Sequence, residues 1–260
     1  MVIVITLAIL ALIVILTILY ISHLLFCSNV LTHFKKCNVI VAGKKGSGKD
    51  LLFQWVINKR KKEPYYANIP YGNKHMDIKL LQVSTAPNDY NKIVNDMIEP
   101  QEHSIYEKAD IYISDIGIFL PSYMDSTLYK KFPSMPIFYA LSRHLYSNNV
   151  HCNTQNIERG WKALREQADF YCVCKKTIKI FGWLITKVYT YEKYESAKAN
   201  LEPIKTRFLN KYSKAEVDLY KATNGDIRKG HIFQRVKKMH YDTRAFEKIL
   251  LKGDRLIYKD

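Results

Sequence analysis

The first 34 residues contain no Asp, Glu, Lys or Arg. That absence excludes a solvated surface segment. The run from Val2 to Ile21 is nearly all Ile, Leu, Val and Ala, and is long enough to cross ~30 Å of hydrocarbon as a helix. No basic region precedes the run and no clear cleavage site follows it, which is typical of a retained anchor rather than a removed signal peptide. A buried core helix is the alternative interpretation.

Acidic residues are scarce beside basic ones, at 24 against 40, which gives a formal net charge of +16. Such an excess favours a polyanionic partner, either nucleic acid or an anionic membrane lipid surface, although a merely basic soluble protein has the same composition. Lys35, Lys36, Lys44 and Lys45 directly follow the apolar run. The positive-inside tendency therefore predicts a very short N-terminus outside the cell and a cytoplasmic remainder.

Cysteines are few and odd in number, at five, which is typical of reduced thiols that face a reducing cytosol. Cys172 and Cys174 are separated by one residue, and no second pair stands at zinc-finger spacing. We therefore expect these two thiols to face the core of a strand rather than a metal.

A phosphate-binding loop is indicated by "VIVAGKKGSGKD" at residues 39–50, where Gly43, Gly48 and Lys49 fit the pattern G-x-x-x-x-G-K. The β-branched run before it and the helical apolar pattern after it give the required order of strand, loop and helix. Glycines let backbone N–H groups face phosphate oxygens, and Lys49 supplies a charge to the β and γ groups of ATP. The predicted nucleotide-binding residues are Gly43, Lys44, Lys45, Gly46, Ser47, Gly48, Lys49, Asp50 and Leu51.

Two carboxylates are candidates for holding Mg²⁺. Asp50 stands where the pattern has Ser or Thr, and a carboxylate is also a good hard ligand for magnesium. Asp115 ends the buried strand predicted within "ADIYISDIG" at residues 109–117, which is where phosphate-loop proteins keep a metal-binding acid. A turn-capping role is the alternative for Asp115. The next residue is Ile116, so the Glu that often orients attacking water is missing there.

Alternating strand and helix patterns predict an α/β fold with a mostly parallel sheet. Strands are expected at 64–70, 109–117, within 149–156 and within 169–176, with helices at 88–98, 134–148 and 157–167. A β-hairpin around Gly182 and a basic helical tail follow, the tail having helices at 212–225 and 241–253. The resulting domains are a transmembrane anchor at 1–34, a P-loop NTPase domain at 35–195 and a basic region at 196–260.

Three further residues are candidates for catalysis. Gln155 follows the strand "NVHCNT", at the carboxyl edge of the sheet where ligands bind, and could sense the γ-phosphate or orient water. Its alternative role is in a polar turn. Arg143 and Arg165 lie on predicted flanking helices, where either could act in trans on a neighbour's nucleotide or be simply solvated.

The set of motifs resembles the zonula-occludens-toxin family, the filamentous-phage (inovirus) assembly ATPases. The pieces that carry the resemblance are the phosphate loop, "YYANIP", "ADIYISDIG", the stretch from "LSRHLYSNN" to "FYCVCKK", and "KIFGWLITKVYTYE". The resemblance implies an oligomeric ATPase in the host's inner membrane that extrudes single-stranded DNA, or the phage nucleoprotein, through an assembly site. It implies phosphate binding by Gly43, Gly46, Gly48 and Lys49, metal chemistry at Asp115 and a sensor role for Gln155.

The sequence differs from that family at Asp50, at Ile116 and in having its membrane segment ahead of the ATPase domain. We expect a working but slow or partner-dependent ATPase, in which Asp50→Thr would still bind nucleotide. Two alternatives remain: a membrane scaffold that binds nucleotide without hydrolysing it, and a related ATPase for conjugation or DNA packaging. The basic region from Pro203 to Asp260 has a net charge of +8 and could hold DNA or lie on anionic lipid.

Overall fold

The computed structural model describes residues 2–60, 65–67, 78–80, 110–120, 122–131, 139, 149–192, 197, 228–236, 249–252 and 255–258. The helices in this part of the chain are α1 (Val2–Lys36), α2 (Lys49–Lys59), α3 (Ile116–Phe119), α4 (Asp125–Lys131) and α5 (Lys162–Glu166). Two 3₁₀ turns span Ser122–Met124 and Ile157–Arg159.

Eight strands form one mixed sheet in the order β3, β2, β4, β5, β1, β6, β7 and β8. They are β1 (Val39–Ala42), β2 (Tyr65–Ala67), β3 (Ile78–Leu80), β4 (Asp110–Ile113), β5 (Val150–Thr154), β6 (Phe170–Ile180), β7 (Trp183–Tyr191) and β8 (Arg228–Arg235). The first six strands of that order are parallel, and β7 and β8 extend the sheet antiparallel. A separate antiparallel pair joins β9 (Ile249–Lys252) to β10 (Arg255–Tyr258).

The predicted α/β architecture is therefore confirmed, with one apolar N-terminal helix ahead of it. The parallel strands are buried on both faces, which explains why β1, β4 and β5 are short runs without strict alternation. Their alternate side chains enter two separate cores, one on each face of the sheet. Cys172 and Cys174 are buried in the core that contains α2, as predicted.

Helix α1 has two contrasting halves. Every side chain from Ile3 to Ser22 is exposed, and by length and composition the helix is apolar enough to cross a membrane. Beyond that point Phe26, Val30 and Phe34, spaced four residues apart on one face, are buried in the same core as α2. His33 also stacks on Phe170 at the start of β6, with ring centroids 3.8 Å apart. The C-terminal half of α1 is thus part of the α/β domain.

The last turn of α1 is tied to the sheet by polar contacts. Arg60 donates through Nη1 to the Phe34 carbonyl at 2.9 Å, and the Asn149 side chain donates to the Lys35 carbonyl at 3.1 Å. Arg60 also forms an ion pair with Asp110, which in turn accepts from the Asn149 backbone N–H at 3.1 Å. One buried network therefore satisfies helix carbonyls that have no partner within the helix.

Asp110 keeps its charge inside this network. Burial alone would raise the pKa of its carboxyl group, but contacts with His151 and Arg60 hold the pKa below its ordinary value. The neighbouring His151 is fully buried, and desolvation lowers its pKa, so the imidazole is neutral. Arg60 is accordingly the cation that balances Asp110.

Several predicted elements differ in detail. The hairpin around Gly182 is confirmed as β6 and β7, but β6 runs without a break from the core into the hairpin. The helix predicted at 157–167 is divided into a 3₁₀ turn and α5, because Gly160 and Trp161 have extended backbones. The helix predicted at 241–253 is wrong at its end, where Ile249–Lys252 is strand β9. Strands β3, β8 and β10 were not predicted. The prediction of a helical tail is wrong for β8 and β10, and β8 belongs to the main sheet because it pairs with β7. The helices predicted at 88–98 and 212–225, and almost all of 134–148, lie outside the described residues.

We predict that Asp110→Ala lowers the free energy of unfolding by about 3–5 kcal/mol, because it leaves the Arg60 charge without its carboxylate. Urea denaturation of the full chain in detergent micelles, followed by tryptophan fluorescence, measures the change. Lys162→Ala is the matched control: it breaks the exposed Lys162–Glu166 pair, 3.5 Å apart, and should change stability by less than about 1 kcal/mol. Equal effects of the two variants would show that the buried pair does not hold the network.

Candidate functional site

The loop after β1 has the backbone of a phosphate-binding loop. Lys44, Lys45 and Gly46 are exposed, and α2 begins directly after the loop at Lys49, so the positive end of the helix dipole faces the loop. Gly46 and Gly48 have φ angles of 75° and 97°, in the left-handed region. The loop thus combines exposed backbone, three lysines and a helix N-terminus, a donor set that fits phosphate groups.

Lys49 lies across this loop. Its side chain is buried, and Nζ donates to the carbonyl of Lys44 at 3.4 Å. Ser47 is buried behind the loop, and Leu51 packs into the core on the first turn of α2. The predicted binding residues therefore divide into those that face outward on the loop and those that fix its shape.

The hairpin strands β6 and β7 contact the phosphate loop through two threonines. The Thr177 hydroxyl on β6 donates to the Ser47 carbonyl at 2.9 Å and lies 2.7 Å from the Thr186 hydroxyl on β7. Gly48 sits against this pair of threonines, so that any Cβ at Gly48 would overlap the Thr177 hydroxyl. Sequence reasoning missed both threonines, because their hairpin was expected to follow the NTPase sheet rather than to contact its loop.

Asp50 is fixed by two neighbouring strand ends. Its Oδ1 accepts from the Ser114 hydroxyl at 2.9 Å and from the Asn153 amide at 2.7 Å. Asn153 also donates to Ser114 Oγ at 3.0 Å, and its Oδ1 accepts from the Asp115 backbone N–H at 2.8 Å. The structure thus brings Asp50 and Asp115 to one edge of the sheet, where β4 and β5 end beside the loop.

Ser114 and Asn153 were not predicted as site residues. Each is a fully buried polar residue at the end of a short, buried parallel strand. Burial of an unpaired amide is costly, so a polar residue in such a run indicates a hydrogen-bond partner at the sheet edge. That signal was available in the sequence "VHCNT", directly before Gln155.

Asp115 carries both backbone and electrostatic strain. Its backbone lies in the left-handed region, at φ 53° and ψ 49°, which Asp tolerates better than most residues. Burial and the nearby Asp50 carboxylate raise the pKa of its carboxyl group, while Lys49 acts in the opposite direction. Two adjacent carboxylates with a neighbouring hydroxyl are hard oxygen donors, and they fit a Mg²⁺ ion that keeps water and phosphate ligands.

The other candidate residues have no described side-chain contact with the phosphate loop. Gln155 is exposed just after β5, at the carboxyl edge where the loop lies. Arg165 is half-buried on α5, on the other side of the sheet from α2, and its carbonyl accepts from the Tyr171 hydroxyl at 2.7 Å. Ile116 is fully buried in the core that contains Trp161. Arg143 lies outside the described residues.

Comparison with known proteins gives similar structures only. No family model matches the chain, and no curated protein matches it. The N-terminal domain of zonular occludens toxin from Neisseria meningitidis is 12% identical, with a TM-score of 0.47, covering 81% of this chain and 97% of its own. The genome packaging NTPase B204 from Sulfolobus turreted icosahedral virus 2, in complex with AMP, is 14% identical, with a TM-score of 0.42, covering 80% and 96%. The same NTPase in complex with ATP-gammaS is 12% identical, with a TM-score of 0.42. The first of these is from the family that the sequence motifs resemble.

We predict that Gly48→Ala weakens nucleotide binding at least tenfold more than Gly46→Ala does. Both changes place a Cβ on a left-handed backbone, at about 1–2 kcal/mol each. A Cβ at Gly48 also overlaps Thr177, whereas nothing lies within 4 Å of one at Gly46. Titration with a fluorescent ATP analogue measures the two affinities. Equal losses would mean that the threonine pair does not constrain the loop.

We also predict a pH dependence of stability from Asp115. Because its folded pKa is raised, its contribution is fully present below the ordinary Asp pKa and is lost as the pH rises through the folded value. In the nucleotide-free and metal-free protein, Asp115→Asn should therefore gain stability relative to the wild type as the pH rises across that interval. Urea denaturation at a series of pH values measures the difference, with Glu166→Gln, on an exposed face, as control. A constant difference between Asp115→Asn and wild type would contradict the expected strain.

Proposed function

We propose that the chain is a membrane-anchored P-loop ATPase of filamentous-phage assembly, which drives the export of single-stranded DNA. The observation that carries the proposal is the meeting of the phosphate loop, Lys49 and the Asp50–Asp115 pair at the carboxyl edge of a parallel sheet. Nucleotides bind at that edge in sheets of this kind. The link to phage assembly and DNA export is supported by the motif resemblance.

The residues then have distinct roles at the nucleotide. The loop from Gly43 to Gly48 holds the phosphates of ATP through its backbone N–H groups, and Lys49 carries the charge that meets the β and γ groups. Asp50 and Asp115 would hold Mg²⁺, which when bound neutralises charge on the β- and γ-phosphates. Gln155, which directly follows β5 at the same edge of the sheet, would orient water.

A neighbouring subunit of an oligomer would supply the arginine that completes the site. An arginine supplied in trans can stabilise the charge that develops at the transferring phosphate, and Arg143 or Arg165 would have that role in a homo-oligomeric ring. Single-stranded DNA or the phage nucleoprotein would be the substrate that such a ring moves. The basic region 196–260 would hold DNA by neutralising phosphates, with an affinity that falls steeply as salt is added.

The apolar helix α1 would determine where the protein lies in the cell. The exposed apolar half of α1 supports a single-pass helix in the inner (cytoplasmic) membrane of the host cell, with the N-terminus outside. Lys35 and Lys36 at the domain end of α1 support a cytoplasmic ATPase domain. A DNA-packaging or conjugation ATPase would share the nucleotide site, and double-stranded rather than single-stranded DNA would then stimulate it.

A non-hydrolysing scaffold is the second candidate. The observation that favours it is the burial of Ile116, which occupies the position next to Asp115 where a water-orienting Glu is often found. Such a protein would bind ATP tightly and set its assembly state without turnover.

We predict magnesium-dependent ATP turnover by the full chain in lipid discs, stimulated by single-stranded DNA. Lys49→Ala should reduce turnover by about 100-fold or more, because it removes the charge at the transferring phosphate. Lys130→Ala, an exposed lysine on α4, is the control and should leave turnover unchanged. Asp50→Thr should keep nucleotide binding.

The outcomes separate the candidates. Binding without turnover under all these conditions would assign the chain to the scaffold class. Stimulation by double-stranded DNA alone would favour packaging or conjugation. Loss of nucleotide binding in Asp50→Thr would contradict the view of Asp50 as a replaceable metal ligand.

A further inference from the structure

A groove of about 580 Å³ lies between α1, α2 and the strands β7 and β8, and no residue of the nucleotide loop lines it. Its apolar wall includes Leu24 and Leu31 of α1, Trp55 of α2, Trp183 of β7 and Phe233 of β8. Its volume is in the range of small-molecule sites. We call it the α1–α2 groove, and neither the nucleotide nor the DNA role uses it.

The charged side chains of the described groove lining are all basic, and they stand beside the neutral polar residues Ser28 and Thr32. They are Lys35, Lys59 and Arg60, and none of the described lining residues is acidic. Arg60 is already paired with Asp110, so the two lysines are the cations that face the groove from opposite helices. Apolar side chains beside unbalanced positive charge fit an amphiphile with an anionic head.

The groove opens at the point where α1 leaves the domain. His23 contacts Phe233 edge-on, with ring centroids 4.9 Å apart, and among the described residues no ring contact between α1 and the sheet lies nearer the N-terminus of the helix. From Ile3 to Ser22 the helix has only exposed side chains. If α1 spans the bilayer, the Leu24–Phe233 end of the groove is continuous with the membrane surface. Trp183 lies at that end, and Trp is enriched at membrane–water interfaces.

We propose that the α1–α2 groove binds one anionic phospholipid from the leaflet on the domain side. Its phosphate lies between Lys35 and Lys59, and an acyl chain runs along Leu24, Trp183 and Phe233 toward the bilayer. This proposal rests on the anchoring role of α1. It differs from a diffuse attraction of the basic C-terminal region to lipid, because it names a built site with defined walls.

Tryptophan fluorescence tests the site. The chain has three tryptophans: Trp55 and Trp183 line the groove, whereas Trp161 is fully buried in the other core and serves as an internal reference. The full chain in nonionic detergent micelles is titrated with phosphatidylglycerol or phosphatidylcholine that carries brominated acyl chains, which quench nearby indoles. We expect phosphatidylglycerol to quench at a lower mole fraction, and Trp183→Phe to remove most of the quenching.

Paired charge variants identify the cations. Lys35→Gln/Lys59→Gln should lose the preference for phosphatidylglycerol, by about fivefold for each lysine. Lys130→Gln/Lys176→Gln changes the net charge equally at exposed positions outside the groove and should keep the preference. Equal quenching by the two lipids, or a preference retained in the groove variant, would overturn the proposal.

Two further experiments test whether another phosphate ligand occupies the groove and whether α1 anchors the protein in a membrane. Competition by inorganic phosphate or by a short single-stranded oligonucleotide, at the same phosphate concentration, should fail; success of either would assign the groove to that ligand and overturn lipid binding. Flotation with vesicles of phosphatidylcholine alone tests α1 independently. Protein that floats but shows no lipid preference refutes the groove and keeps the anchor, whereas protein that does not float refutes the anchor.

Discussion

The ion pair between Arg60 and Asp110 is the contact on which the rest of the structure depends. It joins the end of α2 to the start of β4, and through Arg60 and Asn149 it also binds the last carbonyls of α1. These elements would otherwise end at the amino edge of the sheet with unsatisfied polar groups. With that edge fixed, β1 enters the centre of the sheet and delivers the phosphate loop to the opposite edge.

Several unfavourable interactions occur together at that opposite edge of the sheet. Asp50 and Asp115 repel each other, Asp115 has a left-handed backbone, and Gly48 is pressed against two threonines. Local strain of this kind persists only where the surroundings over-determine it. Here the surroundings are Asn153 and Ser114, which fix Asp50 and the backbone of Asp115 from two adjacent strands.

Much of the fold could be predicted from the sequence because its signals are local. The strand–loop–helix pattern around Gly48 and the apolar run of α1 each lie within a few turns of chain. The support of the loop by Thr177 and Thr186 could not be predicted, since it joins residues about 130 positions apart. Ile249–Lys252 is a strand and not the predicted helix. The sequence "EKILLK" fits both the helical and the strand period, and the pairing with β10 decides between them.

Only Cys37 and Asn38 separate α1 from β1, and one face of the helix, at Phe26, Val30 and Phe34, is buried in the domain. There is no linker in which a swing of the domain could be absorbed. The helix and the sheet are therefore expected to move together. If the chain forms the ring and the membrane anchor proposed above, any tilt of a domain against its neighbour would incline its helix in the bilayer by the same angle. Nucleotide-dependent motion at the subunit interface would then rearrange the helices laterally within the membrane.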